Sequence, residues 1–311
     1  MSLEQVAAFL RGNDNFHILT HAYPDGDTLG SGYALCLALQ QLGKNAAVIN
    51  NELPKDYLFL TRSLKTQDFT AQTVVSVDVA DEKLLGVNRE KYEGHIDLCI
   101  DHHQINRVSA EIKHVEADAA ANCEILYRLF RFMEITITKE IADCLYTGVS
   151  TDTGCFRYNN TTAETLRIAA DLLELGADNA AINKVMFETK TKKKLALERE
   201  VYDTLEYFLD DKCAVIAVTL EMCRKLGVRS DELEGLASIP RQIEGVLLGI
   251  TLREREEGGF KVSVRTDSNV NAAQLCAKFG GGGHAAAAGC SLNGTLQEVK
   301  EKLVEAAGEM I

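Results

Sequence analysis

Short apolar runs alternate with helical patterns along the first half of the chain. The runs cover residues 16–21, 46–50, 73–79 and 96–103, and a helical pattern spans 28–42 between the first two. This alternation is typical of βαβ units in a parallel, doubly wound sheet. We therefore predict that the chain begins with an α/β domain.

Helical periodicity dominates the region after the fourth run. The predicted helices cover 122–133, 138–149, 162–175 and 178–189. Gly176 follows the third of these helices directly, at the position where glycine often ends a helix. We expect these helices to cover the sheet and complete the first domain.

The remaining chain predicts a second, smaller α/β domain. Residues 191–211 are charged, helical in period and free of Gly and Pro, which indicates a connecting helix rather than a flexible linker. Further apolar runs at 213–220, 244–254 and 260–266 indicate another sheet, and the chain ends in a helical pattern. The predicted organisation is a domain at 1–190, a connecting helix at 191–211 and a C-terminal domain at 212–311.

Composition narrows the cellular setting. The nine cysteines stand singly, with an odd total and no CxxC pair, so we expect neither disulfides nor structural zinc. No apolar run is long enough to span a membrane, and the first residues do not resemble a signal peptide. We expect a cytoplasmic protein that does not bind membranes. The net charge of −13 argues against a protein that binds long duplex nucleic acid.

Acidic and histidine side chains recur where apolar runs end. They are His21, Asp25 and Asp27 after the first strand, Asp78 after the third, Asp101, His102 and His103 after the fourth, and Asp152 in a TDTG turn predicted to follow a helix. Singly, each is explained by a turn or a helix cap, as for Asp25. Together they indicate a shared cation, because a buried carboxylate is destabilising unless it is paired, hydrogen-bonded or bound to a cation.

The charges in this set match a pair of divalent ions. Within this set, four carboxylates and two neutral imidazoles would balance two such ions: Asp25, Asp27, Asp78, Asp152, His21 and His102. A metal pair activates water for displacement at phosphorus. Mixed imidazole and carboxylate ligands favour Mn²⁺ over Mg²⁺. Mn²⁺ is our choice, while zinc, iron and cobalt stay open.

A glycine-rich segment marks the second domain. Its backbone amides at Gly281, Gly282 and Gly283 can bind an anion, and His284 follows them directly. Arg265, on a predicted strand, offers a bidentate guanidinium. We predict that these residues bind the distal phosphate or base of a nucleotide; the alternative is that the glycines only form a turn.

The motifs HAYPDGD, SVDVAD, IDHH and STDTG resemble the four motifs of the DHH family of phosphoesterases, and SVRT with GGGGHAAAAG resembles the DHHA1 domain. The resemblance implies a parallel-sheet DHH domain followed by a smaller DHHA1 domain. It implies that His21 and Asp25 hold one metal, that Asp27, His102 and Asp152 hold the other, and that Asp78 bridges them. His103 would face the scissile phosphate.

Asp101 is expected to act beside this set rather than as a ligand. A ligating histidine usually donates its other ring nitrogen to a carboxylate or carbonyl, and Asp101 directly precedes His102. We therefore group Asp101 with His103 as catalytic residues and leave it out of the metal ligands.

At this chain length, the DHH and DHHA1 pairing resembles the oligoribonuclease and 3′-phosphoadenosine 5′-phosphate (PAP) phosphatase type. We expect a manganese-dependent phosphoesterase that hydrolyses short RNA, linear dinucleotides and PAP. The alternatives are a cyclic dinucleotide phosphodiesterase and a RecJ-like single-strand exonuclease, or a nucleotide sensor without turnover. The sequence leaves the oligomeric state open, including a homodimer.

Overall fold

The computed structural model divides into two compact units, Met1–Thr189 and Lys190–Ile311. It describes residues 1–233, 235–266, 270–283 and 285–311. Each unit has its own β-sheet and its own apolar core. The predicted α/β class, with a parallel sheet followed by a separate second sheet, is confirmed. Within the ranges described, no helix is both long enough and apolar enough to cross a membrane.

The first unit is built on a five-stranded sheet. Its strands are β1 (Phe16–Leu19), β2 (Ala46–Ile49), β3 (Thr73–Val77), β4 (Ile96–Asp101) and β5 (Ala110–Val115). The order is β2-β1-β3-β4-β5 and every neighbouring pair is parallel. Strand β5 was not predicted from the sequence. This edge strand carries Glu111, Lys113 and His114 and is mostly half-buried or exposed, so it lacks the apolar signal of the central strands.

Helices cover both faces of this sheet, as parallel topology requires. They are α1 (Leu3–Gly12), α2 (Gly26–Gln41), α3 (Arg89–Tyr92), α4 (Asn122–Phe132), α5 (Lys139–Asp152), α6 (Ala163–Glu174) and α7 (Asn179–Asn183). The predicted helix at 178–189 is only partly α-helical, because the chain continues from α7 into a π-turn at Lys184–Glu188. Gly176 has a φ of +96° just after α6, which agrees with its predicted place at the helix end.

Helices α2 and α5 approach each other closely. A Cβ at Gly30 would lie 2.4 Å from the backbone oxygen of Cys144, so only glycine fits there. Most residues of α2 are buried, so the helix has no wide polar face. This explains why its sequence has little amphipathic character.

The strand order creates a crevice at the carboxyl edge of the sheet. The chain leaves β1 for β2 on one side and crosses to β3 on the other, and such reversals are where ligands bind in open α/β sheets. Leu19 pairs with Ser76 and Val77 pairs with Ile100, so β1, β3 and β4 end at nearly the same level. The segments that follow these three strands therefore meet.

The described residues of the second unit form a six-stranded mixed sheet. Its helices are α8 (Lys192–Tyr202), α9 (Leu220–Leu226), α10 (Ala272–Ala277) and α11 (Leu296–Gly308), and its strands are β6 (Glu206–Phe208), β7 (Cys213–Val218), β8 (Leu248–Glu254), β9 (Phe260–Thr266), β10 (Gly282–Gly283) and β11 (Ala287–Leu292). The strand order is β10-β11-β9-β8-β7-β6.

The prediction of one connecting helix over 191–211 is wrong in its second half. Helix α8 ends at Tyr202, and Glu206–Phe208 pairs antiparallel with β7. The chain reverses there through Leu209, Asp210 and Asp211, all with positive φ. Sheet pairing overrides the helical period of the charged segment.

The two faces of the second sheet differ. On β9, Phe260, Val262 and Val264 are buried in the core with α10 and α11. Lys261 and Arg265 alternate with them and belong to the opposite face, because successive strand residues point to opposite sides.

Candidate metal centre

The structure brings all six predicted ligand residues together at the carboxyl edge of the first sheet. Their ligand atoms form three overlapping groups in which all atoms lie within 4.8 Å of one another: His21, Asp25 and Asp78; Asp27, His102 and Asp152; and Asp78, His102 and His103. The carboxylate of Asp78 lies between the histidines, with Oδ2 3.9 Å from His21 Nε2 and Oδ1 3.4 Å from His102 Nε2. The two oxygens of Asp78 therefore face different groups.

Asp25 has two roles, one for each carboxylate oxygen. Oδ1 accepts hydrogen bonds from the backbone N–H groups of Asp27 and Thr28, both at 3.1 Å, and so caps α2. Oδ2 lies 3.6 Å from His21 Nε2. The helix-cap interpretation and the ligand interpretation of this residue are therefore compatible.

Asp27 is fully buried and is held by the start of α4. Its two oxygens accept hydrogen bonds from the backbone N–H groups of Asn122 at 2.6 Å and Cys123 at 3.0 Å. The positive end of the α4 dipole stabilises this negative charge. This contact was not predicted from the sequence. Its one sequence signal is that the α4 N-cap is Ala121, whose methyl side chain cannot accept a hydrogen bond from the helix.

Asp78 carries two signs of strain. Its φ of +54° is unusual for a residue other than glycine and is a conformation concentrated at functional sites. Its side chain is 3% exposed, and Oδ1 has no hydrogen-bond partner within the described part of the chain. A buried oxygen that accepts no hydrogen bond needs an explanation, and the role of a metal ligand supplies one.

Asp152 lies inside a helix, contrary to the prediction of a turn. It is the last residue of α5, and its Oδ2 is 3.3 Å from His102 Nε2. The turn signal of TDTG is displaced by one residue, to the C-cap at Thr153. A carboxylate at the negative end of a helix dipole is unfavourable by itself, and a bound cation there would be favourable.

The two consecutive histidines have different partners. His102 Nδ1 lies 3.1 Å from the backbone oxygen of Ala119, and its Nε2 faces the carboxylates. His103 Nδ1 lies 2.8 Å from Asp101 Oδ1, and the other oxygen of Asp101 accepts a hydrogen bond from Asn106 at 2.7 Å. Asp101 therefore orients His103. The expectation that it orients the ligating histidine is wrong, because a carbonyl takes that position. Asn106 was not identified from the sequence.

Crowding of carboxylates shapes the electrostatics. Burial raises the pKa of Asp78 and of Asp152 well above the usual range, and the charge of Asp27 raises both further. Burial lowers the pKa of His102, but the nearby carboxylates, Asp78 first, outweigh burial and raise that pKa to about 11. Across the part of the chain that the structure describes, the ion pairs of these carboxylates involve histidines only. The site lacks fixed positive charge, and a divalent ion would supply it and displace protons.

The donor set fits a divalent cation. It combines carboxylate oxygens with imidazole nitrogens, which suits several transition metals, and it leaves Asp78 Oδ1 available. The hydrogen bonds on His102, Asp25 and Asp27 orient these groups before any ion binds.

Comparison with known proteins agrees with this architecture. The N-terminal domain of the DHH family matches residues 15–149, and the DHHA1 domain matches residues 210–311. A Thermus thermophilus protein named bifunctional oligoribonuclease and PAP phosphatase NrnA is 33% identical over 300 residues, covering 94% of this chain and 89% of that protein. The chain belongs to the DHH family. It is a hydrolase of the phosphoesterase class.

Two solved structures share the fold. An exopolyphosphatase-related protein from Bacteroides fragilis is 27% identical with a TM-score of 0.88, covering 99% of this chain and 96% of that structure. RecJ from Thermus thermophilus, solved in complex with Mn²⁺, is 16% identical with a TM-score of 0.58, covering 99% of this chain and 55% of RecJ.

In the DHHA1 domain, Arg265, Gly282 and Gly283 lie in strands, and Gly281 directly precedes β10. Arg265 ends a run of alternating residues on β9 and donates a hydrogen bond to the backbone oxygen of Val264 at 3.0 Å. His284 lies outside the described residues. The glycine segment is a short strand rather than a loop, since Gly282 and Gly283 pair with β11.

Close strand packing explains two of these glycines. A Cβ at Gly281 would lie 2.2 Å from the backbone oxygen of Gly289, and one at Gly283 would lie 2.6 Å from that of Ala287. Gly282 is exposed, with nothing within 4 Å of its Cβ position. The structure therefore requires glycine at 281 and 283 for packing alone, whereas Gly282 has space on its open side.

Proposed function

We propose that this DHH-family hydrolase is a two-metal phosphoesterase that degrades very short RNA, including linear dinucleotides, and removes a phosphate from PAP. The observation that carries the proposal is the carboxylate of Asp78, whose two oxygens face separate groups of ligand atoms. A carboxylate with one oxygen toward each ion can hold the two ions close together, as two-metal hydrolysis needs.

We assign one ion to His21 and Asp25, the other to Asp27, His102 and Asp152, with Asp78 shared. The distances between the atoms of each group support this division. A metal pair supplies an activated water and stabilises both the attacking and the leaving oxygen. We propose Mn²⁺, because imidazole and carboxylate ligands together suit it better than Mg²⁺.

We propose His103 as the residue that contacts the scissile phosphate. Asp101 accepts a hydrogen bond from Nδ1 of His103, and Asn106 donates one to the other oxygen of Asp101. The tautomer and the ring orientation of His103 are therefore set before substrate arrives. The other ring nitrogen can then donate a hydrogen bond to a phosphoryl oxygen or a proton to the leaving group.

The substrate class rests on similarity and on charge. The Thermus thermophilus relative is named for activity on oligoribonucleotides and PAP. A net charge of −13 disfavours long nucleic acids, which bind through many cationic contacts. We propose that Arg265, Gly281, Gly282, Gly283 and His284 of the DHHA1 domain contact the nucleotide. Nine free thiols support a reducing, cytoplasmic setting.

A substrate panel with added Mn²⁺ tests the proposal. The panel contains a dinucleotide, a pentanucleotide, a long single strand, PAP, a cyclic dinucleotide and pyrophosphate. We expect the highest kcat/KM for the dinucleotide or PAP, and no turnover in chelator. Preference for the cyclic dinucleotide or the long strand would replace the proposal with a cyclic dinucleotide phosphodiesterase or a RecJ-like exonuclease.

A further inference from the structure

A small cavity lies on the polar face of the DHHA1 sheet, away from the glycine segment. Its volume is about 70 Å³, and its lining differs on the two sides. The sheet contributes Thr251, Arg253, Lys261 and Ser263, while Leu233 and Leu236 lie among the apolar residues opposite. The space exceeds what one water molecule needs, so a small polar ligand fits.

Two cations line this cavity directly opposite each other. Arg253 on β8 and Lys261 on β9 are cross-strand partners, and like charges at such positions destabilise a sheet. Partial burial lowers the pKa of Lys261, and the charges of Arg253 and Arg265 lower it further. Among the hydrogen bonds and ion pairs of the described residues, none involves Arg253. Within the described part of the chain, therefore, no carboxylate pairs with Arg253.

The cavity also contains an unsatisfied hydroxyl. Thr251 is 4% exposed, and its Oγ1 has no hydrogen-bond partner in the described residues. Thr251 pairs with Ser263 across the strands, so the two hydroxyl side chains are neighbours beside the cation pair. A buried hydroxyl without a partner destabilises the fold by itself. It becomes favourable when a ligand accepts its hydrogen bond.

We propose that this cavity binds a phosphoryl group. A phosphate monoester carries nearly two negative charges and three strong acceptor oxygens, which match two cations and two hydroxyls. The volume admits the phosphate but leaves a nucleoside outside. Lys261 precedes Arg265 by four strand residues, or about 13 Å, so this site is separate from the contact assigned to Arg265. The phosphate belongs either to the substrate or to free inorganic phosphate.

Inorganic phosphate binding to the full-length chain in chelator tests the site without any metal or turnover. Isothermal titration and melting temperature are measured for wild type, Arg253→Gln, Thr251→Val and the control Arg224→Gln. Arg224 lies on neighbouring α9 in an exposed ion pair with Glu256, so its replacement removes the same charge elsewhere. We expect saturable binding in wild type and the control. In the two cavity variants the dissociation constant for phosphate should rise by about tenfold or more.

The melting temperature distinguishes a binding site from a structural role. Without phosphate, Arg253→Gln should melt at or above the wild-type temperature, because repulsion between Arg253 and Lys261 is removed. Phosphate should raise the melting temperature of wild type but not of Arg253→Gln. Absence of saturable binding in wild type, or equal binding by Arg253→Gln and Arg224→Gln, would overturn the proposal.

Kinetics of the Mn²⁺-loaded enzyme identify the source of the phosphate, and this arm alone rests on the proposed function. If the substrate supplies it, Arg253→Gln raises KM for a 5′-phosphorylated pentanucleotide and not for a dinucleotide. If free phosphate is bound, the variant loses the response of the rate to added inorganic phosphate. If Arg253→Gln changes neither this KM nor the response of the rate to phosphate, both assignments of the phosphate source are wrong. If the enzyme does not hydrolyse these substrates, the binding measurement still tests the site.

Discussion

At the scale of single residues, Asp78 combines a strained backbone with a buried oxygen that accepts no hydrogen bond from the described residues. We expect Asp78→Asn to lower turnover by more than about 100-fold and to reduce the metal content per chain, because the amide offers one oxygen where the carboxylate offers two. Asparagine tolerates positive φ, so the fold should be retained. Asp210→Asn is the matched control, since Asp210 has a φ of +52° in an exposed turn. Wild-type turnover with full metal content in Asp78→Asn would remove Asp78 from the bridging position.

The pH dependence of metal binding also belongs to individual residues. Burial, and then the charge of Asp27, raise the pKa of Asp78 and of Asp152 above their unfolded values. In the metal-free chain, their contribution to stability is therefore full below about pH 4 and is lost as the pH rises through the folded pKa. Bound metal displaces these protons, so Mn²⁺ should raise the melting temperature more at about pH 8 than at about pH 5. Equal shifts at both values would contradict this linkage.

The Asp101 and His103 pair predicts a positioning effect. Asp101→Asn should lower kcat by about 10-fold to 100-fold and leave metal content unchanged, because Asp101 contacts His103 and not the ligating His102. The double variant with His103→Ala should be no slower than His103→Ala alone, since Asp101 acts through that ring. Additive losses would show that Asp101 has a separate role.

At the scale of elements, the packing of α2, α4 and α5 holds Asp27 in place. A Cβ at Gly148 of α5 would lie 2.3 Å from Cys123 Sγ and 2.5 Å from Asp27 Oδ1. We expect Gly148→Ala to destabilise the fold by about 1–3 kcal/mol and to weaken metal binding, although alanine normally favours a helix. Gly12→Ala in α1, where nothing lies within 4 Å, is the control and should be neutral or stabilising. Denaturant unfolding and metal titration of both variants test this, and unchanged metal affinity in Gly148→Ala would contradict it.

At the scale of the whole molecule, net charge predicts a preference for short substrates. A long strand must extend over a protein surface of net charge −13, where repulsion opposes it. We expect kcat/KM to fall with strand length. Added salt should narrow the gap between a dinucleotide and a long strand, because it screens the repulsion. If the enzyme prefers the long strand and its kcat/KM for that strand falls as salt rises, cationic contacts bind the strand. That result would contradict the predicted preference for short substrates.

The sequence by itself determined where the site would form. The apolar pattern of each strand is a local property, so the strands that precede His21, Asp78 and His102 could be predicted from the sequence. Strands of a parallel sheet end at the same edge, so these side chains are expected to meet there. The chemistry of these residues was readable for the same reason, since strand-end carboxylates in apolar surroundings need a cation. The edge strands β5 and β6 were not predicted, because they are strands through pairing with a neighbouring strand and not through their local sequence pattern.

Only the tertiary structure decided how the side chains are held. Asp27 meets the backbone of Asn122, which lies 95 residues away, and no local pattern encodes that contact. The partner of Asp101 depends on which histidine ring turns toward it. In the structure His103 contacts Asp101, and His102 contacts the backbone oxygen of Ala119 instead. The opposition of Arg253 and Lys261 likewise depends on the register of two strands. Such contacts depend on how distant segments pack, and the sequence order alone leaves that undetermined.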